Sequence, residues 1–281
     1  MKTLGKSLIA LMIAGAYSSH ALSDDFFLGK PAYEEENANA ECEADASCDS
    51  KWEASIEFGY VAVSGNTETD SLNGRFSVNY EIEKWRHGGF LATQSSSSFD
   101  RLTGDESDAR KLTAQAKSDY KLSQRAYAFG ILDYDDTQDS GFDYQASIAF
   151  GGGYSFIKND KHLLDAELGF GKRESKTTFI PDNPDTIDVN EESPSISNSE
   201  TISRLAGLYK WKISKTANFE QKLSLEIGED NDVSKSETSL SAKIVDDLAL
   251  KVSYSAKHQS EVPVGNENLE TVSSFTVVYT F

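Results

Sequence analysis

The chain has 281 residues, 27 basic against 46 acidic, a formal net charge of −19 and a sequence pI near 4.6. That balance leaves no basic surface able to hold a phosphate backbone by counterion release, so nucleic acid is excluded as a partner. Apolar residues make up 38%, low for a soluble protein with one core, and past the first twenty residues no apolar run approaches the ~18 residues of a membrane-spanning helix. That exclusion covers helices and leaves strands open.

Residues 1–21 carry Lys2 and Lys6, an apolar run from Leu8 to Ala16, and the small and polar ending Ser19-His20-Ala21. This is the layout of a secretory signal peptide, with cleavage expected after Ala21 or Ser23, so the chain is expected to be exported. Residues 22–50 then read as a flexible acidic tail, since Asp24 to Ser50 holds nine acids against Lys30. The only cysteines, Cys42 and Cys48, lie in it, and in an oxidising compartment a disulfide between them is expected. No histidine is near enough in sequence to complete a two-thiolate metal site, so no metal is expected.

From residue 51 to 281 the ruling signal is alternation of period two. Trp52, Ala54, Ile56, Phe58 and Tyr60 oppose Glu53, Ser55, Glu57 and Gly59; Leu72, Phe76, Val78, Tyr80 and Ile82 oppose Asn73, Arg75, Ser77, Asn79 and Glu81. Between Phe142 and Phe156, Tyr144, Ile148, Phe150 and Tyr154 share one face. Leu248, Leu250, Val252 and Tyr254 do so near the end, before a last strand with Phe275, Val277, Tyr279 and Phe281. Twelve such segments begin near residues 52, 71, 86, 109, 126, 142, 162, 201, 218, 236, 248 and 271, the third, fifth and eighth being ambiguous in which face is apolar.

Links after even segments are short, as at Glu83 to Trp85, Ser123 to Arg125 and Asp246-Asp247. Those after odd ones are long, as at Phe99 to Asp108, Arg173 to Glu200 and His258 to Glu270. A soluble sandwich also alternates, but this rim asymmetry is the pattern of a bacterial outer-membrane barrel. The fold expected is therefore all-β: a transmembrane antiparallel up-and-down β-barrel of about twelve strands, with short periplasmic turns and long external loops, in the outer membrane of a Gram-negative bacterium. All five prolines fall in the tail or in links. Trp52, Trp85 and Trp211 map to the short-turn rim with Tyr80, Tyr120, Tyr127, Tyr154, Phe156, Tyr209, Phe219, Tyr279 and Phe281, as an aromatic girdle would. The terminal Phe281, after Val277 and Tyr279, resembles the signature by which the barrel assembly machinery recognises its clients.

Because lipid offers the backbone no partners, the sheet must close, and its polar face then lines an interior. The expected lumen-lining set is Glu53, Glu57, Arg75, Glu81, Lys111, Lys117, Asp119, Asp165, Glu167, Glu220, Lys222, Glu226, Lys243 and Lys251. Such residues can pair and fill the lumen, or line a narrow aqueous path.

The first hairpin, EFGYVAVSGNTETDS from Glu57 to Ser71, resembles the signature of the YdiY-like salt-induced outer-membrane proteins. SDYKLSQRAYAFG from Ser118 to Gly130 and GGGYSFI from Gly151 to Ile157 are also similar. The resemblance implies an outer-membrane barrel with no assigned activity and, through the family's name, a link to salt or osmotic response; the acidic cysteine-bearing tail departs from the pattern. No catalytic residue and no cofactor follow from it.

The residues also offer two sharper chemistries. His258-Gln259-Ser260 is similar to the His-x-Ser pair of outer-membrane phospholipase A, though Glu261 and Val262 stand where that family has Asn-Gly, and Asn266 and Asn268 are only loop candidates for an orienting partner. An omptin-like protease site would recruit Asp135 and Asp136. His87 and His162 fall by short turns, where an interfacial role is expected. The acidic loops, including Glu229-Asp230-Asn231-Asp232, read first as solvated surface and second as cation bridges to lipopolysaccharide. The expectation is a barrel that is not an enzyme, with outer-membrane lipids and lipopolysaccharide as its neighbours.

Overall fold

The computed structural model describes residues 51–63, 67–100, 106–137, 142–178, 195–263 and 266–281. The expected leader, the acidic tail and the Cys42–Cys48 disulfide lie outside the described residues. Twelve strands follow one another: β1 (Lys51–Val63), β2 (Thr67–Ile82), β3 (Trp85–Asp100), β4 (Glu106–Lys121), β5 (Ala126–Thr137), β6 (Tyr144–Lys158), β7 (His162–Thr178), β8 (Ser195–Lys212), β9 (Ala217–Ile227), β10 (Val233–Val245), β11 (Leu248–Gln259) and β12 (Leu269–Thr280). Each pairs antiparallel with its neighbours in sequence, and β1 pairs with β12, so the sheet is a closed barrel. No described strand contains proline, and Pro263 sits in the β11–β12 link.

Closure explains why both faces can be occupied. The outward face carries large apolar side chains in the open: Phe275 is 67% exposed and Phe170 63%. The inward face carries charged side chains that are buried, with Glu167 at 1% and Glu237 at 2%. A water-soluble fold does the reverse, so the solvent around this barrel is hydrocarbon and the strands span a membrane.

A tilted strand crosses the apolar band in about 9–11 residues. β9 has 11 residues but β8 has 18, and the β7–β8 ladder continues to Thr178–Ser195. Hairpins on the long-loop side thus run on as polar ribbons beyond the lipid. The links expected at Phe99 to Asp108, Arg173 to Glu200 and His258 to Glu270 are shorter than the sequence suggested, because β3 reaches Asp100, β7 Thr178 and β11 Gln259. Outside the lipid the backbone ladder no longer needs apolar side chains, so alternation of greasy residues stops before the strand does. At the other rim the links are tight: Asp246 adopts φ 35° in the two-residue β10–β11 turn, a conformation that aspartate tolerates.

The seam is the shortest ladder in the ring. β1 and β12 pair only from Ser55–Thr280 to Phe58–Val277, with Phe281 N–H donating to the Ala54 carbonyl at 2.8 Å beyond it.

The interior is not uniformly polar. Tyr127, Phe129 and Ile131 of β5 point inward against Ala149 of β6, and Leu163, Ala206 and Leu208 form a second buried cluster between β7 and β8. Tyr127, expected in the girdle, is therefore a lumen residue. The rings fit because β6 presents glycines beneath them. A Cβ on Gly153 would lie 2.2 Å from Cζ of Tyr127, and one on Gly151 would lie 2.1 Å from the Leu168 carbonyl oxygen of β7. The glycine triplet is thus a crease that lets β6 approach both β5's rings and β7's backbone.

Candidate functional site

The lumen is where the chemistry of this chain collects. Near the short-turn half, Arg86 of β3 meets Asp119 of β4, Nε to Oδ2 at 2.7 Å. Lys117 lies 3.0 Å from the other Asp119 oxygen and donates to Glu167 of β7 at 2.6 Å, and the Tyr127 hydroxyl donates to the same Glu167 oxygen at 2.8 Å. Lys117 also stands 5.4 and 5.3 Å from the rings of Tyr127 and Phe129. Asp165 is buried beside this group.

Nearer the long loops, Arg173 of β7 donates to Glu200 of β8 at 2.7 Å and to Glu226 of β9 at 3.4 Å. Arg204 donates to Glu226 at 2.7 Å and stands 3.9 Å from Asp133, to which Gln115 also donates. On the remaining wall, Lys251 bridges Glu57 at 3.2 Å and Glu237 at 3.6 Å. Lys222 joins Glu237 to Glu220, and Glu220 also meets Lys210 at 2.8 Å. Arg75 lies with its guanidinium carbon 3.7 Å from the centre of the Phe90 ring and donates to Ser77. In a low-dielectric interior a charge persists only when paired, and these rows pair acid with base between neighbouring strands and across the lumen.

Of the expected lumen residues, Arg75, Lys111, Lys117, Asp119, Asp165, Glu167, Lys222 and Glu226 are buried inside the barrel, and Glu53, Glu57, Glu81, Glu220 and Lys251 are partly so. Glu81 pairs with Lys121 at the short-turn end. Lys243 differs: it is exposed at the short-turn rim, where the β10–β11 register shifts between Lys243 and Val245 before the last pair, Val245 with Leu248. Arg86, Asp133, Asp135, Arg173, Glu200, Arg204, Glu237 and Lys257 lie outside the lumen set expected from the sequence, yet all but Asp133 are buried.

The two sharper chemistries do not assemble. His258 is exposed on the outward face, while the Ser260 hydroxyl accepts from Asp232 N–H at 2.8 Å and donates to Asn231 Oδ1 at 3.2 Å. That serine pins the β9–β10 turn, and among the described residues no hydrogen bond joins it to His258. Asp135 faces the lumen and Asp136 the other side of β5, so they form no acidic pair. Among the described residues no group of histidine, cysteine, aspartate or glutamate is placed to hold a metal ion.

The rims are aromatic. Trp52, Trp85, Trp211, Tyr279 and Phe281 are all exposed at the short-turn rim. Trp52 packs on Tyr80 at 4.4 Å, Trp85 on His87 at 5.6 Å and on Tyr120 at 5.0 Å. His162 accepts or donates a 2.9 Å bond with the Tyr209 hydroxyl and stacks near Trp211. A second set, Tyr60, Tyr134 and Tyr144, stands toward the long-loop rim, with Tyr60 donating to Asp70 and Tyr144 to Glu174 at 2.8 Å. Two such belts bracket the apolar face as membrane boundaries require.

The chain is 26% identical over 220 residues to the uncharacterized protein YdiY of Escherichia coli strain K12, covering 78% of each. It resembles the translocator domain of the autotransporter NalP from Neisseria meningitidis (TM-score 0.46, 11% identity, 81% of this chain and 86% of that one). It also resembles the COG4313 outer-membrane channel from Pseudomonas putida F1 (TM-score 0.44, 8% identity, 88% and 100%). The sequence model for proteins of unknown function DUF481 matches residues 56–281, the whole barrel but its first few residues, and the chain belongs to that family.

Proposed function

We propose that this protein is an outer-membrane barrel with a structural or passive role, its lumen closed to solutes of metabolite size. The observation that carries this reading is the filling of the lumen among the described residues: side chains from opposite walls meet within it, as Lys257 and Asp135 do at 2.8 Å, and two cavities between them have volumes of about 40 and 30 Å³. Space of that size holds a few waters at most. Support for the outer membrane comes from the closed sheet, the apolar belt between aromatic rims, and the expected secretory leader. In that setting the short-turn rim and both barrel termini face the periplasm, and the polar ribbons face outward among lipopolysaccharide. The exposed terminal Phe281 beside the closing strand suits recognition by the barrel assembly machinery. A role in the envelope's response to salt or osmotic change rests on the family resemblance.

The test is solute uptake by liposomes carrying the refolded protein. The expected result is no swelling in any small sugar above that of empty liposomes. Swelling at rates set by sugar size would overturn the closed-lumen reading.

A further inference from the structure

Two segments far apart in the sequence, Glu229-Asp230-Asn231-Asp232 and His258-Gln259-Ser260, meet at the long-loop mouth of the lumen. The first lies in the β9–β10 turn, Gly228 to Asp232, whose buried Asn231 ties three strands together. The Asn231 carbonyl accepts from Arg173 of β7, and its N–H donates to Glu200 Oε2 of β8 at 3.3 Å. Its side-chain amide donates to Gln259 Oε1 of β11 at 3.4 Å. Its Oδ1 accepts from the Ser260 hydroxyl at 3.2 Å and from Glu261 N–H at 3.1 Å. Asp230 N–H adds a bond to Glu200 Oε2 at 3.0 Å, and a Cβ on Gly228 would collide with that same oxygen. Gln145 of β6, across the ring, donates to the same Gln259 oxygen at 3.1 Å. Arg173, Glu200 and Gln259 are buried on the lumen face of their strands, so a turn fastened to them lies over the mouth.

Everything that holds the turn down is polar. Its residues Gly228 to Asp232 carry no apolar side chain, and water can replace each of these hydrogen bonds at small net cost. A fastening of that kind opens and recloses where an apolar plug would stay shut. Beneath the turn lies the 30 Å³ cavity, with buried Val233 in its lining. Its floor is shut, because Ile131, Phe129 and Ala149 follow toward the short-turn rim as a buried apolar cluster. The lining carries the acids Asp133, Asp135 and Glu226 against the bases Arg173, Arg204 and Lys235, so the cavity does not select an ion by net charge. It does hold acceptors in want of a donor. Gln115, 5% exposed, gives its amide N–H to Asp133, yet among the described residues neither Gln115 Oε1 nor Asp133 Oδ2 receives a hydrogen bond, Arg204 standing 3.9 Å from the latter.

We propose that the β9–β10 turn is a lid over a one-mouthed pocket for a small neutral solute that brings several hydroxyl donors, a polyol in chemical class, with Gln115 and Asp133 as its acceptors. Shut, the cavity has room only for water. With the lid lifted, Arg173, Glu200 and Gln259 give up their partners in the turn and join the polar wall of the pocket. This goes beyond the closed-lumen reading and leaves it intact, since the apolar floor keeps the lumen shut whichever position the lid takes.

The experiment measures how fast a charged maleimide labels Val233→Cys in the refolded full chain carrying Cys42→Ser and Cys48→Ser, each variant checked for the folded barrel by its heat-modifiable gel mobility. With the lid intact, labelling is expected to be slow. Adding Asn231→Ala should speed it roughly tenfold, as the loss of one or two net hydrogen bonds from the closed state implies. Ser260→Ala, which removes one tie from β11's side, should act the same way to a smaller degree and carries the test if Asn231→Ala does not fold. In the protein with the lid released, glycerol or erythritol should slow labelling saturably, and Gln115→Met and Asp133→Leu should each weaken that protection. Labelling unchanged in the folded lid variants overturns the lid. Protection that is absent, or that survives both pocket variants, overturns the pocket. Liposomes of Asn231→Ala protein that swell in small sugars overturn the shut floor, whereas swelling with the wild type overturns the closed-lumen reading itself.

Discussion

Lys257 and Asp135 are separated by 122 positions in sequence and by half the circumference of the barrel, and their side chains meet at 2.8 Å. A lumen wide enough for water would leave such charges solvated on their own walls. Their meeting means the interior is narrow enough for two side chains to span it, and the other ion pairs follow from that narrowness. Each charge that enters must find its counter-charge, since an unpaired ion in so dry a space is costly.

The Lys117–Glu167–Tyr127 group should behave as a buried pair. Glu167→Gln leaves Lys117 with Asp119 alone and is expected to cost about 3 kcal/mol, the lower end for breaking a buried ion pair. Replacing both partners, Lys117→Met with Glu167→Leu, should recover much of that loss. Urea unfolding of the protein in liposomes measures both, and a double variant as weak as the single one would contradict the pairing.

The crease in β6 makes a prediction about size. Gly153→Ala places a methyl within the Tyr127 ring, and Gly151→Ala one against the β7 backbone, so each should cost about 1–3 kcal/mol through forced shifts. Gly207→Ala on β8 meets nothing nearer than 3.8 Å and should be close to neutral. The comparison is read from the unfolding midpoints of the three variants, and equal midpoints would contradict the crease.

The outward belt sets a third expectation. Leu223 sits half exposed between the aromatic rims, and Leu223→Arg puts a guanidinium into lipid at a cost of about 2–4 kcal/mol near the midplane, falling toward the interface. Ala217 lies on the same face six residues nearer the short-turn rim, so Ala217→Arg should cost far less. Folding yield into lipid vesicles against urea reports the difference; equal yields would argue against a lipid-facing Leu223.

The seam offers a kinetic readout. Because the β1–β12 ladder spans only Ser55–Thr280 to Phe58–Val277, amides of β1 and β12 beyond it should exchange with deuterium faster than those of the long β7–β8 ladder. Uniform protection around the ring would contradict a weak seam.

Much of this architecture was legible because a strand facing lipid on one side and a paired interior on the other writes its two faces into alternate residues. β1, β2, β6 and β11 did so plainly, and their starts fall within a few residues of those expected. The buried lumen charges that alternation does not mark fall mainly on three strands. Arg86 is on β3, Asp133 and Asp135 on β5, Glu200 and Arg204 on β8. β5 and β8 bury apolar side chains inward as well, Tyr127, Phe129 and Ile131 on one and Ile202, Ala206 and Leu208 on the other, so both faces read as greasy and alternation loses its sign. Arg173 was hidden by a different effect, since it belongs to a stretch of β7 that read as loop. The pairing of Lys257 with Asp135 is set by closure of the ring and leaves no local mark in the sequence.

The central claim is that successive residues of each strand look alternately into lipid and into a dry, ion-paired interior. Spin labels placed one at a time along β9, in a background lacking Cys42 and Cys48, test it directly in reconstituted bilayers. Labels at Gln221, Leu223 and Leu225 should be reached by oxygen from the lipid, while those at Lys222 and Ser224 should be shielded from oxygen and from a water-soluble nickel chelate alike. Equal access of the chelate to Lys222, Ser224 and their neighbours, or oxygen access that fails to alternate, would contradict the account.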